Sequence, residues 1–170
     1  LFTKRMKREY TILAPVMAPI HFSIIERVFL KHGYNLVMLK STDHSIVDRG
    51  LQNVHNDTCY PALLVVGQIL EAIASGQYDT NKLAVMITQT GGGCRASNYI
   101  HLLRRALRQN GLEHIPVISL NATGMEKNPG FRLTLSLLAE LIYAVLYGDM
   151  LMLLSNQTRP YEVHSGETDA

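Results

Sequence analysis

Apolar residues fall along this chain in two kinds of run. YTILAPVM (10–17), YNLVMLK (34–40), KLAVMIT (82–88) and PVISLN (116–121) are short and nearly continuous. A strand with one wet face alternates apolar and polar residues; unbroken runs predict strands covered on both faces. Longer segments with helical spacing lie between them. IHFSIIERVFLKH (20–32) sets Ile24, Ile25, Val28 and Phe29 on one face, and Gly33 closes it as the residue after the cap. STDHS (41–45) is a polar turn leading to a short helical stretch that ends near residue 53. LLVVGQILEAIASG (63–76) is a helix through Leu63, Leu64, Gly67, Leu70, Glu71 and Ile73, stopped at Gly76. NYIHLLRRALRQNG (98–111) turns Ile100, Leu103 and Leu107 inward and stops at Gly111. A loop, ATGMEKNPG (122–130), precedes the apolar stretch LTLSLLAELIYAVLYGDMLMLL (133–154).

The predicted order is β-α-β-α-α-β-α-β-α. Strands that alternate with helices, each strand apolar throughout, predict a parallel sheet between helical layers. The expected fold is a three-layer, Rossmann-like α/β domain. It has about four parallel strands, helices on both faces, right-handed crossovers and a long C-terminal helix, with residues 1–170 forming a single domain.

The 133–154 stretch is long enough to span a bilayer. Glu140 and Asp149 interrupt it, and a mid-span carboxylate is costly in lipid. It is therefore expected to be a long, mostly buried helix of a soluble protein, with no membrane partner. Of the 170 residues, 47% are hydrophobic, enough for a core. The formal net charge of +2 gives no strong field and points away from nucleic acid. Lys4, Arg5, Lys7 and Arg8 cluster at the start, and Arg104, Arg105 and Arg108 on one helix; both groups read as solvated faces, the first also as a frayed terminus. No h-region or cleavage site follows the basic start. Together with Leu1 as first residue, this leads to the expectation of a piece of a larger, multidomain protein. Two cysteines cannot build a disulfide framework, so a reducing, cytoplasmic setting is expected.

In doubly wound sheets the ligand crevice lies beyond the carboxyl ends of the strands. The loops there are STDHS, QTGGGCRAS (89–97) and NATGMEKNPG (121–130). NDTCYPA (56–62) opens on the same side, because the helix it starts runs antiparallel to the strand that follows. Cys59 and Cys94 thus fall at helix starts on one edge. There the helix dipole and free N–H groups favour the thiolate, the metal-binding form.

TGGGC admits three readings: an anion cradle, a metal or cluster site, and a tight βα turn with Cys94 as a small buried residue. No phosphate-loop or dinucleotide fingerprint is present. In NDTCYPA, Asp57 or Thr58 can cap the helix and Pro61 suits its first turn. His44, His55 and His101 lie nearest these loops, without zinc-site spacing, and read as surface or satisfied core residues. Ser119, Asn121 and Asn128 are candidates to line the crevice. No nucleophile elbow and no pair of carboxylates points to a hydrolase.

The strings NDTCYPA, MITQTGGGCRASNY, VISLN followed by NPGF, and the terminal RPYEVHSGETDA resemble the activator-related proteins of the 2-hydroxyacyl-CoA (2-hydroxyglutaryl-CoA) dehydratase system. The likeness is to the dehydratase-like region of the large proteins that fuse it to an activator-type ATPase. It runs from about residue 8 to the end. It implies a Rossmann-like fold, a [4Fe–4S] cluster, electron transfer, and as partners the remaining domains with their ATPase module or a homodimer. Cys59 and Cys94 are then the implied metal ligands. Gly91, Gly92 and Gly93 give the cluster room and N–H groups, and Asn98 of the same motif is a further cofactor-binding candidate. Such a cluster normally takes four cysteines, twice the number in this chain. The other hypothesis is a structural or interaction domain without its own cofactor, its long helix packing on a partner.

Overall fold

The computed structural model describes residues 1–55, 57–89, 98–120 and 128–169. All the predicted elements are there. They are β1 (Thr11–Pro15), α2 (Pro19–Lys31), β2 (Leu36–Leu39), α3 (His44–Asn53), α4 (Tyr60–Ala74), β3 (Leu83–Thr88), α5 (Tyr99–Gln109), β4 (Val117–Leu120) and α6 (Leu135–Thr158). One short helix, α1 (Met6–Glu9), precedes them and is not among the predicted elements. Gly33 and Gly111 take φ of 77° and 70° after their helices, the left-handed turn that made glycine the predicted stop.

The chain forms two compact units, Leu1–Val16 with Gly33–Arg132, and Met17–His32 with Leu133–Ala170. The first holds an α/β fold with a four-stranded, all-parallel sheet in the order β2-β1-β3-β4. The strands are buried almost without a break, as their unbroken apolar runs require. Leu13, Val85, Ile87 and Val117 from the sheet join Val66, Ile69 and Ile73 of α4 and Ile100, Leu103 and Leu107 of α5 in one core. These side chains interdigitate because both helices repeat apolar residues at three and four positions.

The amino-terminal segment belongs to this unit and is anchored rather than frayed. Phe2 is fully buried, its N–H donates to Asn128 Oδ1 at 3.2 Å, and its carbonyl accepts from Gly130 at 2.9 Å. Lys7 lies over the Tyr34 ring at 4.0 Å, a cation–π contact, while Lys4, Arg5 and Arg8 are solvated as expected.

The second unit pairs α2 with α6. Lys31 Nζ donates to Glu140 Oε1 at 2.9 Å, and His21 Nε2 meets Asp149 Oδ1 at 2.9 Å. Gly148 makes room for the His21 ring: a Cβ there would lie 2.3 Å from its Cδ2. The expectation of a mostly buried C-terminal helix does not hold. Of α6, only Leu137, Ala144 and Gly148 are buried. Apolar residues occur all round this helix, whereas one neighbouring helix covers only one stripe, so most of the apolar surface stays outside.

Candidate functional site

The sheet order places a topological switch between β1 and β3, since β1 leads to β2 on one side and β3 to β4 on the other. The ladders diverge there. β1 pairs with β3 from Thr11↔Leu83 to Leu13↔Val85, then stops. β3 continues beside β4 as far as Thr88↔Leu120. Pro15 ends β1 and has no N–H to give to a ladder, which suits a strand end that parts from its neighbour.

Cys59 lies at the start of α4. It is the N-cap of α4, half-buried, and packs against the main core. Asp57 and Thr58, the expected caps, lie outside the helix, and no side chain caps it. Pro61 falls in the first turn as expected, because the first-turn nitrogens need no intrahelical partner. The Cys59 Sγ lies 2.9 Å from the Oη of Tyr99, the first residue of α5. The side chains at the amino ends of α4 and α5 thus meet through this one contact.

Tyr99 was not a candidate in the sequence. Its position at a helix start, within the NY that ends the cysteine motif, is the only signal there was. Gln68 was missed too, although it is the one amide in an otherwise apolar helix run. It is buried, and its Nε2 donates to the carbonyls of Leu39 and Ser41 at 2.9 and 2.8 Å, closing the carboxyl end of β2. A cavity of about 320 Å³ lies beside that end, lined by Lys40, Ser41, Asp43, Glu71 and Tyr78.

The other predicted residues are distributed as follows. Asn98 precedes α5 as its N-cap and is exposed, with no side-chain capping bond. Gly91, Gly92, Gly93 and Cys94 lie outside the described residues, as does Asn121. Ser119 is buried and donates to Gln89 Oε1 at 2.7 Å, which ties the ends of β3 and β4 together. Asn128 binds the Phe2 N–H and lines a second cavity, of about 200 Å³, with Leu1, Arg104 and Val117 at the start of β4. His44, His55 and His101 are exposed, the reading given them above. Among the described residues no group of three or more His, Cys, Asp or Glu side chains could hold a metal ion.

The donor set decides how far a cluster fits. Cys59 is a thiol of suitable chemistry at a helix start, and the chain has two cysteines in all. This chain can therefore contribute to a four-thiolate cluster but cannot complete one. No known family model, curated protein or solved structure matches the chain.

Proposed function

We propose that this protein is a redox module that contributes ligands to an iron–sulfur cluster, related to the 2-hydroxyacyl-CoA dehydratase and activator system. Cys59 and Cys94 are the two ligands it offers, and the remaining thiolates come from another protein segment or a second copy. One observation carries this reading. The Cys59 thiol sits at the start of α4, half-buried, 2.9 Å from the hydroxyl of Tyr99 at the start of α5. Helix N–H groups and a hydroxyl donor are what a cluster-bound thiolate needs, since hydrogen bonds to the sulfur tune its potential. When bound, the cluster would supply one-electron transfer. The protein's part is to hold the two sulfurs and to shield them.

Anaerobic reconstitution with iron(II) and sulfide tests it, read by bound iron, acid-labile sulfide and the EPR signal after reduction. Cys59→Ser and Cys94→Ser should each remove most of the bound iron. Iron content unchanged in both variants overturns the reading.

A second reading, an interaction domain without its own cofactor, rests on a different observation. Cys59 already has a partner in Tyr99 and packs on the core, as a structural thiol does. Wild-type protein that takes up no iron under reconstitution conditions, with its fold intact, favours it.

A further inference from the structure

The cavity of about 320 Å³ beside the carboxyl end of β2 has no part in the chemistry proposed for Cys59. Every residue that lines it belongs to the first unit and is among the described residues. Its volume falls at the lower end of the roughly 300–1,000 Å³ that small-molecule sites take, which suits a small metabolite.

Three charged side chains line this space: Lys40, Asp43 and Glu71. Glu71 is already met by Arg49, whose Nε donates to its Oε2 at 2.8 Å. Lys40 and Asp43 make no ion pair among the described residues, with each other or with any other group. Asp43 is the N-cap of α3, where aspartate ordinarily accepts from the first N–H groups of the helix. Asp79 does this in the same unit, accepting from the Asn81 N–H at 3.0 Å. Asp43 makes no capping bond, so its carboxylate is left to the cavity. The cavity therefore keeps one open cation and one open anion, held apart.

Such a pair selects a ligand that carries both signs. A simple anion would satisfy Lys40 and be repelled by Asp43, and a simple cation would meet the reverse. A zwitterion makes a charge-assisted hydrogen bond to each. The hydroxyls of Ser45 and Tyr78 line the same space without a hydrogen-bond partner among the described residues, and each can donate or accept. Met38, Ala72 and the half-buried Tyr78 ring supply an apolar wall. An α-amino acid with an apolar side chain has this same distribution of groups.

We propose that the cavity binds a free α-amino acid with an apolar side chain. Lys40 takes its carboxylate, Asp43 takes its ammonium, and the Met38–Tyr78 wall takes its side chain. The site is separate from Cys59 and does not depend on a cluster. Isothermal titration of the full chain with L-phenylalanine and L-leucine tests it, with Kd expected between about 1 μM and 1 mM. N-acetyl-L-phenylalanine lacks the ammonium and L-phenylalaninamide lacks the carboxylate. Each should bind wild type at least about tenfold more weakly than L-phenylalanine, the scale of one hydrogen bond to a charged group. Lys40→Gln and Asp43→Asn should each weaken L-phenylalanine to a similar extent. Lys40→Gln should also lose the preference for the acid over the amide, and Asp43→Asn the preference for the free over the acetylated amine. Both side chains are exposed, so both variants should keep the wild-type circular dichroism spectrum. No binding of either amino acid at roughly 10 mM overturns the proposal, as does binding that ignores the missing ligand charges or either substitution. Binding of D-glucose in place of the amino acids overturns it too, and assigns the cavity to a neutral polyol.

Discussion

The contact between α3 and α4 sets where Cys59 stands, and Gly67→Ala tests it directly. The two helices meet at Gly50 and Gly67. A Cβ on Gly67 would lie 1.9 Å from the carbonyl oxygen of Ile46 and 2.9 Å from its carbon. A Cβ on Gly50 would lie 2.4 Å from the carbonyl oxygen of Leu63. These neighbours are backbone atoms, so no side-chain rotation relieves the clash; α3 must move off by about 1.5 Å to restore an ordinary contact of roughly 3.4 Å or more between carbon and backbone oxygen. That movement loosens Ile46, Val54 and Leu63, all now under 7% exposed. Overpacking of this kind costs about 1–3 kcal/mol or more. Alanine offsets roughly 1 kcal/mol of it through helix propensity. With the backbone clash at the upper end, the net loss is about 2 kcal/mol, or roughly 4–8 °C in Tm for a chain of this size. Thermal unfolding followed at 222 nm measures it. A Tm equal to or above wild type means that propensity outweighs the clash, and refutes the close helix contact.

The remaining predictions address individual groups. The hydrogen bond from Lys31, aided by the charges of Lys31 and His32, holds the Glu140 carboxyl below its ordinary 4.5. The folded value lies under the unfolded one, so this contact stabilises fully above about pH 4.5 and is lost as pH falls through the lowered value. Glu140→Gln should flatten the dependence of the unfolding midpoint on pH in that acid window, and equal slopes in both proteins count against the assignment. Tyr99→Phe removes the hydroxyl beside Cys59. If Oη donates to the thiolate, alkylation of Cys59 by iodoacetamide in a Cys94→Ser background should slow about three- to tenfold, the worth of one hydrogen bond. A rate that is unchanged or faster shows that the thiol is the donor instead. Cys59→Ser and Cys94→Ser should strip iron, as set out above.

The sheet was legible because its strands are buried almost throughout, which leaves unbroken apolar runs that a half-wet strand would not show. Helix ends were legible where a left-handed residue was needed, as at Gly33 and Gly111. The anchored amino terminus was not. Phe2 belongs to no run with strand or helix periodicity, only Leu1 and Thr3 flank it ahead of the basic residues, and it is held by Asn128 and Gly130, more than a hundred residues away in the sequence. The exposure of α6 was missed for the opposite reason. An all-apolar helix reads as core, yet the amount of surface that covers it depends on neighbours that periodicity does not count. Cys59 was placed correctly at a helix start, but its cap was not: Asp57 and Thr58 have the right chemistry and the helix still begins after the cysteine, at Tyr60 beside Pro61.

That one-residue placement matters for the chemistry. Had Asp57 or Thr58 capped the helix, Cys59 would lie within its first turn, its direction fixed by helical geometry. As the N-cap, with φ −58° and ψ 142°, it lies outside the turn and its side chain reaches the start of α5. Under the proposed function, Cys94→Ser should lower bound iron as much as Cys59→Ser does.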